Sequence, residues 1–92
     1  MTSWAAEHIE MLKRGATVTF RPRGRSMVMV EPMFYGNGVE VGDVVLCRVG
    51  RVDYLHLVKR HDKKQHRFQI GNNRGRINGW IEPEMIFGRI VR

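Results

Sequence analysis

Ser26 lies in a glycine-bounded basic turn, Arg23-Gly24-Arg25-Ser26-Met27, and a hairpin further along the chain carries His56 and Lys59. A serine hydroxyl attacks a carbonyl only when a neighbouring base removes its proton. A neutral lysine amine can do this, and so can an imidazole. The base need not be close in sequence, because folding brings the two together. Ser26 is therefore the candidate nucleophile, and His56 and Lys59 are the candidate bases. The plainer alternative is that Ser26 is a turn residue beside a glycine.

Strand alternation separates the two bases. If residues 54–60 form a strand, positions 54, 56, 58 and 60 share one face and 55, 57 and 59 the other. His56 and Lys59 then point to opposite faces unless a bulge intervenes, so only one can serve Ser26. Lys59 follows Leu55 and Leu57 on an apolar face, where desolvation favours the free amine over the ammonium. Folding the hairpin about a centre between Lys63 and Lys64 sets His56 opposite Gly71.

The elements that must hold these groups are legible in the pattern. Residues 3–14 read as a helix: Ser3 as cap, Glu7 and Glu10 early, Lys13 and Arg14 at its end, Gly15 closing it, and Ala5, Ile9 and Leu12 on one face. From Thr17 the period becomes two. Strands are expected over residues 17–20, 28–31, 44–49, 54–60, 67–71 and 86–91, with turns at 50–53 and 62–65. Residues 72–79 read as a long ordered loop, its Asn side chains bonding its own backbone, with Trp80 buried at its end. The fold class is mainly β: a small, coiled antiparallel domain over residues 17–92 with one N-terminal helix, all within a single domain of 92 residues.

The segments Phe20 to Met27, Val41-Gly42-Asp43-Val44-Val45-Leu46, Leu55 to Arg60 and Ile70-Gly71-Asn72-Asn73 together resemble, in order and spacing, the LexA/signal-peptidase superfamily. These are serine peptidases with the nucleophile in a Gly-x-Ser-Met motif and a lysine or histidine as base. The resemblance implies a Ser-Lys or Ser-His peptidase-like domain with Ser26 as nucleophile and His56 or Lys59 as base. It also implies no cofactor. Val58-Lys59-Arg60 matches the lysine-type members. His56 with Gly71-Asn72-Asn73 resembles the histidine type, with Asn72 in place of the acid that would orient the ring. These two motifs in register make His56 the base that the resemblance favours. One departure concerns the family's Pro, short hydrophobic stretch and Gly-Asp after Ser-Met. Here Ser26-Met27 runs directly into Val28-Met29-Val30-Glu31-Pro32, and the segment is missing from that place.

Composition bounds the partners. The single Cys47 excludes an internal disulfide and, in a Val-Leu-rich strand, reads as a small buried hydrophobe. No apolar run reaches bilayer length and no signal-peptide pattern opens the chain, so the expectation is a cytoplasmic protein with no membrane partner. A free-standing domain of the resembled kind implies a phage or mobile element as its origin. A net charge of +7 raises nucleic acid as a partner. The candidate contacts are Arg21, Arg23, Arg25, Lys63, Lys64, Arg74 and Arg76, and without a base-reading motif such binding is weak and sequence-blind. His8, His61 and His66 lack a metal-ligand pattern, so no metal is expected. The functional expectation is a serine peptidase-like domain acting on a peptide or protein. The alternative is a non-catalytic module on the same scaffold, engaging a protein by strand addition or nucleic acid through its basic loops.

Overall fold

The computed structural model describes residues 3–21, 24 and 26–92. Within them, the Val- and Ile-rich stretches form one antiparallel sheet and the N-terminal stripe forms one helix. The elements are α1 (Ala6–Lys13), β1 (Val18–Phe20), β2 (Val28–Pro32), β3 (Val44–Val49), β4 (Val52–Asp62), β5 (Arg67–Gly71), β6 (Ile77–Ile81) and β7 (Ile86–Ile90). Strand order is β1-β2-β7-β3-β4-β5-β6, with every neighbouring pair antiparallel. The mainly β fold with an N-terminal helix follows the sequence pattern.

The two faces of the sheet carry separate apolar clusters, as a period-two pattern apolar on both parities demands. In β3, Val45 and Cys47 join Val58, Phe68, Ile70, Ile81 and Ile86 on one face. Leu46 turns the other way, to Phe87, Val30, Val18 and the helix residues Ala5, Ile9 and Leu12. The sheet curls around the first cluster: a Cβ added to Gly79 on β6 would stand 3.2 Å from Val49 Cγ1 on β3. The second cluster lies on the convex side, where α1 covers it.

An eight-residue helix is marginal alone, so α1 depends on this packing and on its ends. Ser3 accepts a hydrogen bond from the Ala5 N–H and donates one to Asp53. Arg48 Nε meets the same carboxylate at 2.7 Å. At the other end Gly15, at φ +90°, turns the chain, and its N–H bonds the Leu12 carbonyl. Gly88 lets β2 and the helix crowd against β7: a Cβ there would lie 2.7 Å from the Glu31 carbonyl oxygen and 3.0 Å from Leu12 Cδ2.

Three expectations are corrected. Residues 72–79 are not a long loop, because β6 begins at Ile77 and only a short turn separates it from β5. That turn is held as the Asn-rich sequence implies: Asn72 Oδ1 accepts the N–H groups of Arg74 and Arg76 at 2.9 and 3.0 Å, and Gly75 takes φ +91°. Trp80 is not buried. It opposes Gln69, on the parity that faces away from the core residues Phe68 and Ile70, and is 39% exposed.

The third correction is the β4–β5 register. Gly71 opposes Leu57, not His56. The turn spans Lys63 to His66 within the pair Asp62–Arg67, closed by Asp62 Oδ1 accepting the N–H groups of Lys64 and Gln65. A bulge then adds one residue on β4, Lys59, between the pairs Val58–Ile70 and Arg60–Gln69.

Candidate functional site

Val28 on β2, Ile90 on β7, Val44 on β3 and Leu55 and Leu57 on β4 form the floor of a cleft of about 360 Å³, with Asn72 and Asn73 on its far side. These strands are neighbours, and the floor residues share the convex face. Ser26 and Met27, both exposed, precede β2 and line an adjoining open depression that also includes Val28. The serine therefore stands at one lip of the apolar cleft.

Lys59 stands on the same face at the opposite lip. Its Cγ lies 3.2 Å from the position of a Cβ on Gly71, the residue directly across from Leu57, and its Nζ donates to the Asn72 carbonyl at 3.0 Å. Gly71 is what makes room, since a Cβ there would also meet the Arg76 carbonyl oxygen at 2.3 Å. His56 borders the cleft but aims its ring elsewhere. The imidazole stacks on Tyr54, centroids 4.8 Å apart, on the face of Val45 and Cys47. Its Nδ1–H donates to the Leu55 carbonyl at 2.8 Å. The bulge leaves the alternation up to Lys59 intact, so the two bases do lie on opposite faces. Among the described residues, no hydrogen bond joins Ser26 to either one.

The stretch between Met27 and the Gly42-Asp43 pair holds β2 and a short 3-10 turn, Phe34–Gly36, before β3 begins. The Gly-Asp pair is a clamp. Gly42, at φ +97°, donates its N–H to the Val58 carbonyl, and the Val58 N–H returns to the Asp43 carbonyl. The Asp43 carboxylate is 7% exposed; it accepts the Glu40 N–H at 2.9 Å and pairs with Arg89 at 3.2 Å and Arg92 at 3.3 Å. It thereby fastens the start of β3 to the end of β7, two strands of the cleft floor. Sequence reading gave the pair no mechanical role, although a carboxylate directly after a glycine turn is a signal for one.

Cys47 is fully buried. Burial, reinforced by the nearby Asp53 charge, pushes its thiol up to about 12, so it is no nucleophile.

The basic residues divide. Arg21 is exposed beside the Ser26 lip, and Arg74 and Arg76 are exposed on the turn past Asn72. Lys63 and Lys64 occupy the opposite end of β5, so the three groups do not converge. Arg23 and Arg25 lie outside the described residues. Among those described, no three His, Cys, Asp or Glu side chains gather as a metal site, and no helix is long and apolar enough to cross a membrane.

No family model, no curated protein and no solved structure matches this chain.

Proposed function

We propose that the chain is a serine peptidase-like domain in which Ser26 is the nucleophile, Lys59 the base, and the apolar cleft between them the seat of a substrate side chain. The observation that carries this reading is the shared face: Ser26 precedes the cleft on β2, Lys59 follows it on β4, and His56 aims its ring to the other side. This favours the lysine over the histidine that the family resemblance, in its expected register, suggested. In the reaction Ser26 Oγ adds to the peptide carbonyl while its proton passes to the neutral Lys59 amine. The tetrahedral intermediate expels the amine leaving group, which takes that proton, and water then releases the acyl group.

The Asn72 carbonyl holds Lys59 Nζ between turnovers, and the amine turns from it to the serine when substrate fills the cleft. Incubating the purified chain with a peptide library tests the proposal. Cleavage of peptides in the library is the expected result. It should vanish in Ser26→Ala and Lys59→Ala and survive in His56→Ala. Cleavage lost in His56→Ala but kept in Lys59→Ala would reverse the assignment. A second reading rests on the same lysine contact: with Nζ fixed on Asn72, the cleft binds an extended peptide without cutting it. Peptide capture that is identical in wild type and Ser26→Ala, with no cleavage by either, would establish that reading in place of hydrolysis.

A further inference from the structure

The outer face of β4, β5 and β6 carries a pattern that catalysis does not use. Register places Arg60 opposite Gln69 and Gln69 opposite Trp80, so the three form one row across the convex side. Trp80 is 39% exposed, and the Arg67 guanidinium lies 5.7 Å from its ring centroid. Two residues before Gln69, Arg67 shares this face. Lys63 and Lys64 are exposed at the hairpin end of β5, and Arg74 and Arg76 at its other end. The acids nearby are few. Asp62 is occupied by the backbone N–H groups of Lys64 and Gln65, and Glu82 lies just past β6.

A tryptophan laid open on a sheet, backed by a guanidinium and flanked at both ends by cations, meets the two demands of a flexible polyanion carrying flat rings. The cations track phosphates, and the indole offers a π-face to any base. A duplex keeps its bases stacked inside and cannot use the indole. We infer that this face is a binding site for single-stranded nucleic acid, with Trp80 as the stacking platform and Arg60, Arg67, Lys63 and Lys64 as phosphate contacts. This site is separate from the Ser26 cleft, and it lies on strands rather than on the loop at Arg21.

The test is a titration of the full chain with a labelled oligothymidylate, followed by label anisotropy and tryptophan emission. A duplex of equal length and a polyglutamate peptide run beside it. The oligothymidylate is expected to bind and to quench emission, with Trp4→Phe leaving the quenching in place. Trp80→Ala should weaken binding about tenfold, while Trp80→Phe keeps most of it. Each of Lys63→Ala and Lys64→Ala should lower the slope of log affinity against log salt by about 0.7. Arg67→Gln should weaken binding without changing the circular dichroism spectrum, which keeps the site testable if Trp80→Ala folds poorly. Binding indifferent to both Trp80→Ala and Arg67→Gln would overturn the inference. So would equal affinity for the duplex or for polyglutamate.

Discussion

Asp53 shows how one side chain joins distant parts of this chain. Its side chain is 1% exposed, and it takes Arg48 from β3 and Ser3 from the start of α1. Burial alone would raise its pKa, but the hydrogen bonds from Arg48 and Ser3, together with the Arg48 charge, outweigh burial and hold the carboxyl below its ordinary value. A depressed folded-state pKa adds stability above the unfolded value, near 3.9 for aspartate, and that contribution disappears as pH falls through the folded value. Acid unfolding should therefore steepen below about pH 4. Asp53→Asn should lower stability at neutral pH by about 1.5–3 kcal/mol, the range for hydrogen bonds to charged groups, and flatten that acid limb. Denaturant midpoints measured at pH 7 and pH 3 check both expectations. Cys47 supplies a second residue-scale test. Its thiol should resist alkylation in the native protein and react at once in denaturant, and rapid labelling without unfolding would contradict its burial.

At the scale of elements, the reach of sequence reading follows what each signal measures. Alternation of apolar residues identified β3, β4, β5 and β7 because each is packed on at least one face, and Gly15 marked the end of α1 because its backbone takes φ +90°. Strand β6 escaped notice. Ile77-Asn78-Gly79-Trp80-Ile81 contains a glycine and an asparagine that read as loop, and only pairing with β5 makes it a strand. Trp80 was misplaced for the same reason: once 77–81 is an edge strand, its parity sends the indole outward. Register failed first at the turn, whose centre lies between Lys64 and Gln65 and not between Lys63 and Lys64. The bulge then shifts the pairing by one residue, and alternation carries no mark of either. The candidate nucleophile and both bases were visible as residue types, but choosing between the bases needed the face each side chain takes. Gly71 is the pivot of that geometry. Gly71→Ala would drive a methyl group against the Arg76 carbonyl and the Lys59 stem, and should cost about 1–3 kcal/mol by overpacking. If the proposed dyad is right, it should also lower cleavage more than the stability loss accounts for. Activity assayed well below the melting temperature, beside a thermal melt, separates the two effects.

For the whole molecule, the two apolar clusters raise the question of whether the fold has one cooperative unit or two. They lie on opposite faces of one sheet, and β3 and β7 feed both: Val45 and Cys47 face one way and Leu46 the other, Ile86 one way and Phe87 the other. Neither cluster can come apart without loosening strands that hold the other. Gly88 on β7 and the Asp43 clamp tie the same strands to β2 and to the start of β3. A chain of this size has a total stability of roughly 5–15 kcal/mol, so losing either cluster is enough to unfold it. Leu12→Ala opens the helix-side cluster and Ile70→Ala the inner one. Each should cost about 2–5 kcal/mol, the usual range for a buried aliphatic truncated to alanine. The expected result is one shared transition in both variants, with far-ultraviolet ellipticity and tryptophan emission falling together at a lowered midpoint. Trp4 on the helix side and Trp80 on β6 report from opposite ends of the sheet, so single-tryptophan versions made with Trp4→Phe and Trp80→Phe sharpen the comparison. If Leu12→Ala releases the Trp4 signal at a midpoint well below that of Trp80, α1 and its cluster form a separate unit. The sheet would then be stable without its helix, and the shared strands β3 and β7 would not couple the two faces.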